Sequence, residues 1–182
     1  MDYARYSRLT AACIAALLVQ GPALAATQGS LGSTSTGSIL INASVPNRVQ
    51  LTGLADVSFL NQDPATAALN AQNVCVWSNT STKGYNVTAS GSGAANAFTL
   101  ANGALTVPYG VEWAASSGQS SGTVLTTGSA LTGLTSTATN ATCASGPSKT
   151  ASLIVTIATP ALQSMQAATT YTGTLTLVVA PE

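Results

Sequence analysis

The sequence predicts an all-β domain of sandwich type, and three observations carry that reading. Short runs of alternating apolar and polar residues recur along the chain, each bounded by Gly, Pro, Asn or Ser. No amphipathic stretch long enough for a core helix interrupts them. Charge is nearly absent: of 182 residues, five are Lys or Arg, five are Asp or Glu and none is His.

Residues 1–25 read as a targeting signal and not as fold. Arg5 and Arg8 precede an apolar run over 9–19, and Ala23-Leu24-Ala25 is a small-x-small site, so a signal peptidase is expected to cut between Ala25 and Ala26. The run is too short to span a bilayer. Thr10 stands where a lipidated Cys13 would require a large aliphatic residue. Residues 26–37, rich in Gly, Ser and Thr, form a flexible leader. Ile39, Ile41, Ala43 and Val45 then alternate with Leu40, Asn42 and Ser44 up to the turn at Pro46-Asn47, which is the pattern of a strand. The chain thus divides into a signal at 1–25, a leader with its strand at 26–45, and a β-domain at 46–182.

Within the domain, 49–54 and 56–59 read as short strands. Asp63 followed by Pro64 predicts one or two helical turns running toward Ala71. Residues 73–78 and 85–90 read as a hairpin joined by the polar loop 79–84. A second hairpin joins 98–101 to 105–113 across Asn102-Gly103, a type I′ signal. In its second arm Leu105, Val107, Tyr109, Val111 and Trp113 share one face, while Pro108 marks an edge or bulge. Residues 116–146 read as long loops with one or two weak strands. Strands at 152–158 and 171–180 close the domain, separated by Thr159-Pro160 at the start of a helical turn.

The composition also excludes chemistry. After cleavage, Arg48, Lys83 and Lys149 face Asp56, Asp63, Glu112 and Glu182, too few cations to neutralise a row of phosphates, so no nucleic acid is expected. A paired-acid glycosidase would have to be built from Glu112 and one aspartate, and each reads as a solvated charge. Asp56, Asn61, Gln62 and Asp63 lack the glycine-turn spacing of a calcium loop, and zinc would need more Cys or His. No cofactor, no metal and no enzyme activity are expected. Cys75 and Cys143 are the only cysteines left after cleavage, and an oxidising compartment joins them. Trp77, Tyr109, Trp113 and Tyr171 could serve as sugar-stacking platforms, but their placement on apolar faces favours the core.

These segments resemble a known family. The signal peptide, the alternating ILINASVP, the strands around VCVWSN and YNVTASGSG, the stretch LTVPYGVEW and the closing YTGTLTLVV are similar to bacterial chaperone-usher pilins of the archaic and alternative types, including spore coat protein U-like subunits. The resemblance implies an incomplete immunoglobulin-like Greek-key β-sandwich, held by a periplasmic chaperone, passed to an outer-membrane usher and completed by the N-terminal strand of the next subunit. It places the donor strand at Ile39, Ile41, Ala43 and Val45, and the strand bordering the acceptor groove at Tyr171, Leu175, Leu177 and Val179. It implies a subunit of a pilus or fimbria at the cell surface, supporting adhesion and biofilm formation. Its partners would be copies of itself or related pilins and a surface or host glycan. Gly173 departs from the family pattern, which has an acidic residue two positions after the terminal tyrosine. The alternative reading is a secreted, monomeric carbohydrate-binding or adhesive β-sandwich module.

Overall fold

A computed structural model describes residues 26–182. The expected signal peptide, with its cleavage site after Ala25, lies outside the described residues. The chain separates into two units, Met1–Val45 and Pro46–Glu182. In the described part of the first, Thr27 and Ser38 form an isolated antiparallel bridge through two N–H···O bonds of 2.9 Å. Residues 39–45, expected as a strand, carry no ladder, and Ile39, Ile41 and Val45 are 73%, 80% and 82% exposed. An alternating segment cannot satisfy its own main chain; a strand requires a neighbour.

The second unit holds ten strands: β1 (Val49–Thr52), β2 (Ala68–Ser78), β3 (Gly84–Gly91), β4 (Thr99–Asn102), β5 (Leu105–Pro108), β6 (Gly110–Ala114), β7 (Thr123–Val124), β8 (Ala130–Thr135), β9 (Ala151–Ile157) and β10 (Leu175–Pro181). One short α-helix, α1 (Thr159–Gln163), begins with proline in its first turn, and a single 3-10 turn spans Ala94–Asn96. A five-stranded sheet has the order β1-β2-β9-β6-β7, a three-stranded sheet the order β10-β3-β8, and β4 and β5 form a hairpin. All strand pairings are antiparallel. The fold is all-β and sandwich-like, and Val74, Val76, Val87, Val107, Val111, Trp113 and Ile157 fill the core.

Four sequence expectations are corrected. Residues 73–78 and 85–90 do not form a hairpin: β2 and β3 belong to different sheets, so 79–83 is a corner between layers. Ser78 Oγ donates to Gly84 O at 2.8 Å, and Asn79 accepts from Arg48 N–H while its Nδ2 donates to Pro46 O, tying that corner down. The helical turns after Asp63 reduce to a turn in which Asp63 Oδ1 accepts from Ala65 N–H at 2.9 Å, because Ala68–Ser78 gains more from pairing with β9. Residues 56–59 form no strand. The hairpin register pairs Asn102 with Leu105, so its two turn residues are Gly103, at φ 58°, and Ala104; positive φ at the first position alone is the type II′ pattern.

The long arm 105–113 breaks at Tyr109, after Pro108, which lacks the donor to continue a ladder. β5 stays with β4, whereas β6 enters the large sheet beside β9. Of the five residues on the expected face, Val107, Tyr109, Val111 and Trp113 are buried and Leu105 is 40% exposed. Trp113 Nε1–H donates to Tyr85 Oη at 3.2 Å, linking the two sheets through an edge-on ring pair.

Burial raises the ionisation of Tyr85 and Tyr109 above the ordinary tyrosine value of 10.0, outweighing the Trp113 bond at Tyr85. A folded pKa raised above the unfolded one contributes stability that is complete below pH 10 and is lost as pH climbs past it. Urea titrations from pH 8 to 11 are therefore expected to show a falling midpoint above pH 10, with Tyr85→Phe flattening the fall. An unchanged midpoint over that range would contradict the burial argument.

Cys75 and Cys143 are joined, with Cα atoms 6.4 Å apart and a sequence separation of 68. The bond pins β2 to the loop before β9, where Ala138 and half-buried Trp77 pack on it. Loop closure of this length contributes about 4 kcal/mol in the chain-entropy picture. The Cys75→Ser, Cys143→Ser double variant is expected to lose about that much in denaturant unfolding. A loss below about 1 kcal/mol would assign the bond no stabilising role.

Candidate functional site

The sheets leave a cleft of about 1260 Å³ between them, apolar at its floor and polar along the rim formed by Asp56, Asn61, Gln62 and residues 169–174. Its floor comes from β9, where Leu153, Val155 and Ile157 point inward because alternate residues of a strand share a face. β6 places Val111 beside Val155 and Trp113 beside Leu153 on the same inner surface. The opposite wall is Leu175 and Leu177 of β10, with Tyr171 at one end. Leu162 and Met165, on α1 and just beyond it, close that end together with Leu100 and Tyr109.

Two sheet edges border the cleft. β10 is the outer strand of its sheet, paired only with β3. Its alternation turns Leu175, Leu177 and Val179 inward and leaves Thr176 and Val178 exposed. β1 covers β2 only from Cys75 to Ser78, so the remaining edge of β2 has no strand beside it. The chain after β1 crosses this gap as a strap. Val57 and Phe59 pack from the strap against the core, while Leu54 and Leu60 are 50% and 66% exposed. Residues 54–62 make no main-chain to main-chain hydrogen bond. The Gln72 side-chain amide stands in for a strand, accepting from Ala55 N–H at 2.8 Å and donating to Ala55 O at 3.1 Å.

Tyr171 is buried, and its hydroxyl accepts from Gln166 N–H at 3.1 Å. It does not start the last strand as expected. Thr172 pairs instead with Ala101, and a side chain at Gly173 would stand 2.8 Å from Thr99 O, so this close approach requires glycine. Pairing with β3 begins only at Leu175. Leu175 and Leu177 line the cleft with Tyr171; Val179 packs on the core beyond the lining. Sequence reasoning missed the β9 floor, the strap and Met165, since a continuous apolar run such as 153–155 does not reveal which face meets a groove.

Among the described residues, two buried side-chain atoms have no hydrogen-bond partner, Tyr109 Oη and Asn70 Oδ1. Among the described residues no three His, Cys, Asp or Glu side chains cluster as a metal site. Glu112 Oε2 accepts from Gly122 N–H at 2.7 Å. No helix among the described residues is long and apolar enough to cross a membrane.

Fold and cleft together define an antiparallel, sandwich-like β-protein whose core is open along one slot between its sheets. Comparison of the sequence with protein-family models and with curated proteins finds no match in either.

Proposed function

We propose that this chain is a structural subunit of an extracellular fibre, joined to its neighbours by donor-strand complementation. The domain is an incomplete immunoglobulin-like sandwich in this reading, and residues 38–45 of one copy fill the cleft of the next. The observation that carries it is the pairing of two unsatisfied features. An alternating apolar segment has no ladder, and a cleft with an apolar floor lies beside the free edge of β10. Strand addition answers both, with main-chain bonds supplying adhesion and alternate side chains filling the slot. Burying Ile39, Ile41 and Val45 contributes roughly 1.5–3 kcal/mol each before ordering costs. The low charge suits crowding into a polymer, since copies hardly repel one another. Export through a periplasm, a chaperone that protects the slot and an usher that exchanges strands follow as the partners this assembly requires, and adhesion and biofilm formation as its use.

Exported protein sheared from cells is expected to show fibres by negative stain and heat-resistant ladders on denaturing gels. A soluble monomer retained on a glycan column would instead establish the carbohydrate-binding module.

A further inference from the structure

Tyr109 borders the cleft, is only 8% exposed, and its hydroxyl has no partner. Burial of an unpartnered hydroxyl is unfavourable, so an occupant that offers a hydrogen bond there gains over one that does not. Resting on the fibre reading above, we propose that Tyr109 recognises the incoming strand of a second copy at Ala43, its hydroxyl bonding the main chain beside that residue.

Direction and size lead to Ala43. Every pairing in this fold is antiparallel, and an added strand running antiparallel to β10 brings its last residues to the beginning of β10. Tyr109 lies at that end: its N–H donates to Phe98 O at 2.9 Å, and the hairpin that carries it pairs through Ala101 with Thr172. The inward residues arriving there are Ala43 and Val45. The branched Val45 would cover a hydroxyl, whereas Ala43, a single methyl group, leaves the main chain within reach. Asn70, whose Oδ1 also lacks a partner, lies across β9 from this position, paired with Val155, and does not line the cleft, which leaves Tyr109 Oη as the orphan atom beside the slot. A short residue at this end is the one that leaves Tyr109 Oη open to a bond from the main chain.

The test uses the full exported chain. Tyr109→Phe is expected to polymerise, with junctions dissociating about tenfold faster in hot detergent. Placed in an Ile41→Asp chain that does not polymerise, the same substitution is expected to leave thermal unfolding unchanged or slightly raised, because a buried orphan hydroxyl is gone. Ala43→Leu is expected to block assembly, and Ala43→Leu with Tyr109→Ala to restore it. Tyr109→Phe junctions as durable as wild type, or equal destabilisation in the non-polymerising chain, would overturn the assignment of Tyr109. So would failure of the double variant to recover ladders while its domain remains folded. Normal polymers from Ile41→Asp alone would instead overturn the fibre reading itself.

Discussion

Ile41→Asp is expected to abolish polymers while leaving the domain folded. Ile41 is 80% exposed in the described chain, so the substitution removes no core contact of its own domain. In a junction it would face Leu153, Val155, Leu175 and Leu177, a wall with no cation to pair a carboxylate. Losing the isoleucine forfeits about 1.5–3 kcal/mol, and burying the charge or protonating it costs several more. At about 1.4 kcal/mol per tenfold, junction affinity should fall at least a thousandfold. Leu40→Asp supplies the control, because Leu40 lies on the opposite face of the alternating segment and should be tolerated. Gel ladders and negative stain of sheared cells read the result. Normal polymers from Ile41→Asp, or equal loss from Leu40→Asp, would return residues 38–45 to a role other than strand donation.

Moving the segment should convert a polymer into a stable monomer. A chain lacking 26–45, with 38–45 attached after Glu182 through a short flexible linker, can fold back antiparallel along β10 and enter its own slot. The attachment point is well placed, since Glu182 N–H donates to Gly84 O and its side chain accepts from Gly133 N–H, holding that end of β10 against β3 and β8. Intramolecular delivery removes the association cost, leaving most of the apolar gain. With a net gain of about 3–6 kcal/mol, and about 2–4 °C per kcal/mol for a domain near this size, the melting temperature should rise by roughly 10–20 °C over the bare truncation. Equal melting temperatures for the two chains would mean that the cleft does not take this strand.

Much of the fold was legible because its signals are local. The alternation in 105–113, an edge or bulge at Pro108, a hairpin turn that uses Gly103 and the proline that opens α1 depend on dihedral limits and missing donors that any chain obeys, although the split of 105–113 into two strands and the turn type needed the structure. The two cysteines left one intramolecular pairing, and the structure contains it. Near-absence of charge and complete absence of histidine bounded the chemistry without any coordinates. The alternating apolar set Ile39, Ile41, Ala43 and Val45 was likewise visible as a pattern.

Which strands are neighbours was decided only in three dimensions. Residues 73–78 and 85–90 look like hairpin arms, yet β2 joins β9 and β3 joins β10, because packing two sheets face to face buries Tyr85 against Trp113 and outweighs local closure. The cleft is non-local in the same sense. Its floor and wall come from β9 and β10, and Tyr109 enters only because Pro108 ends one ladder before β6 begins another. Periodicity reports that a residue faces inward; what stands opposite it depends on sheet order, which arises from burial summed over the whole domain.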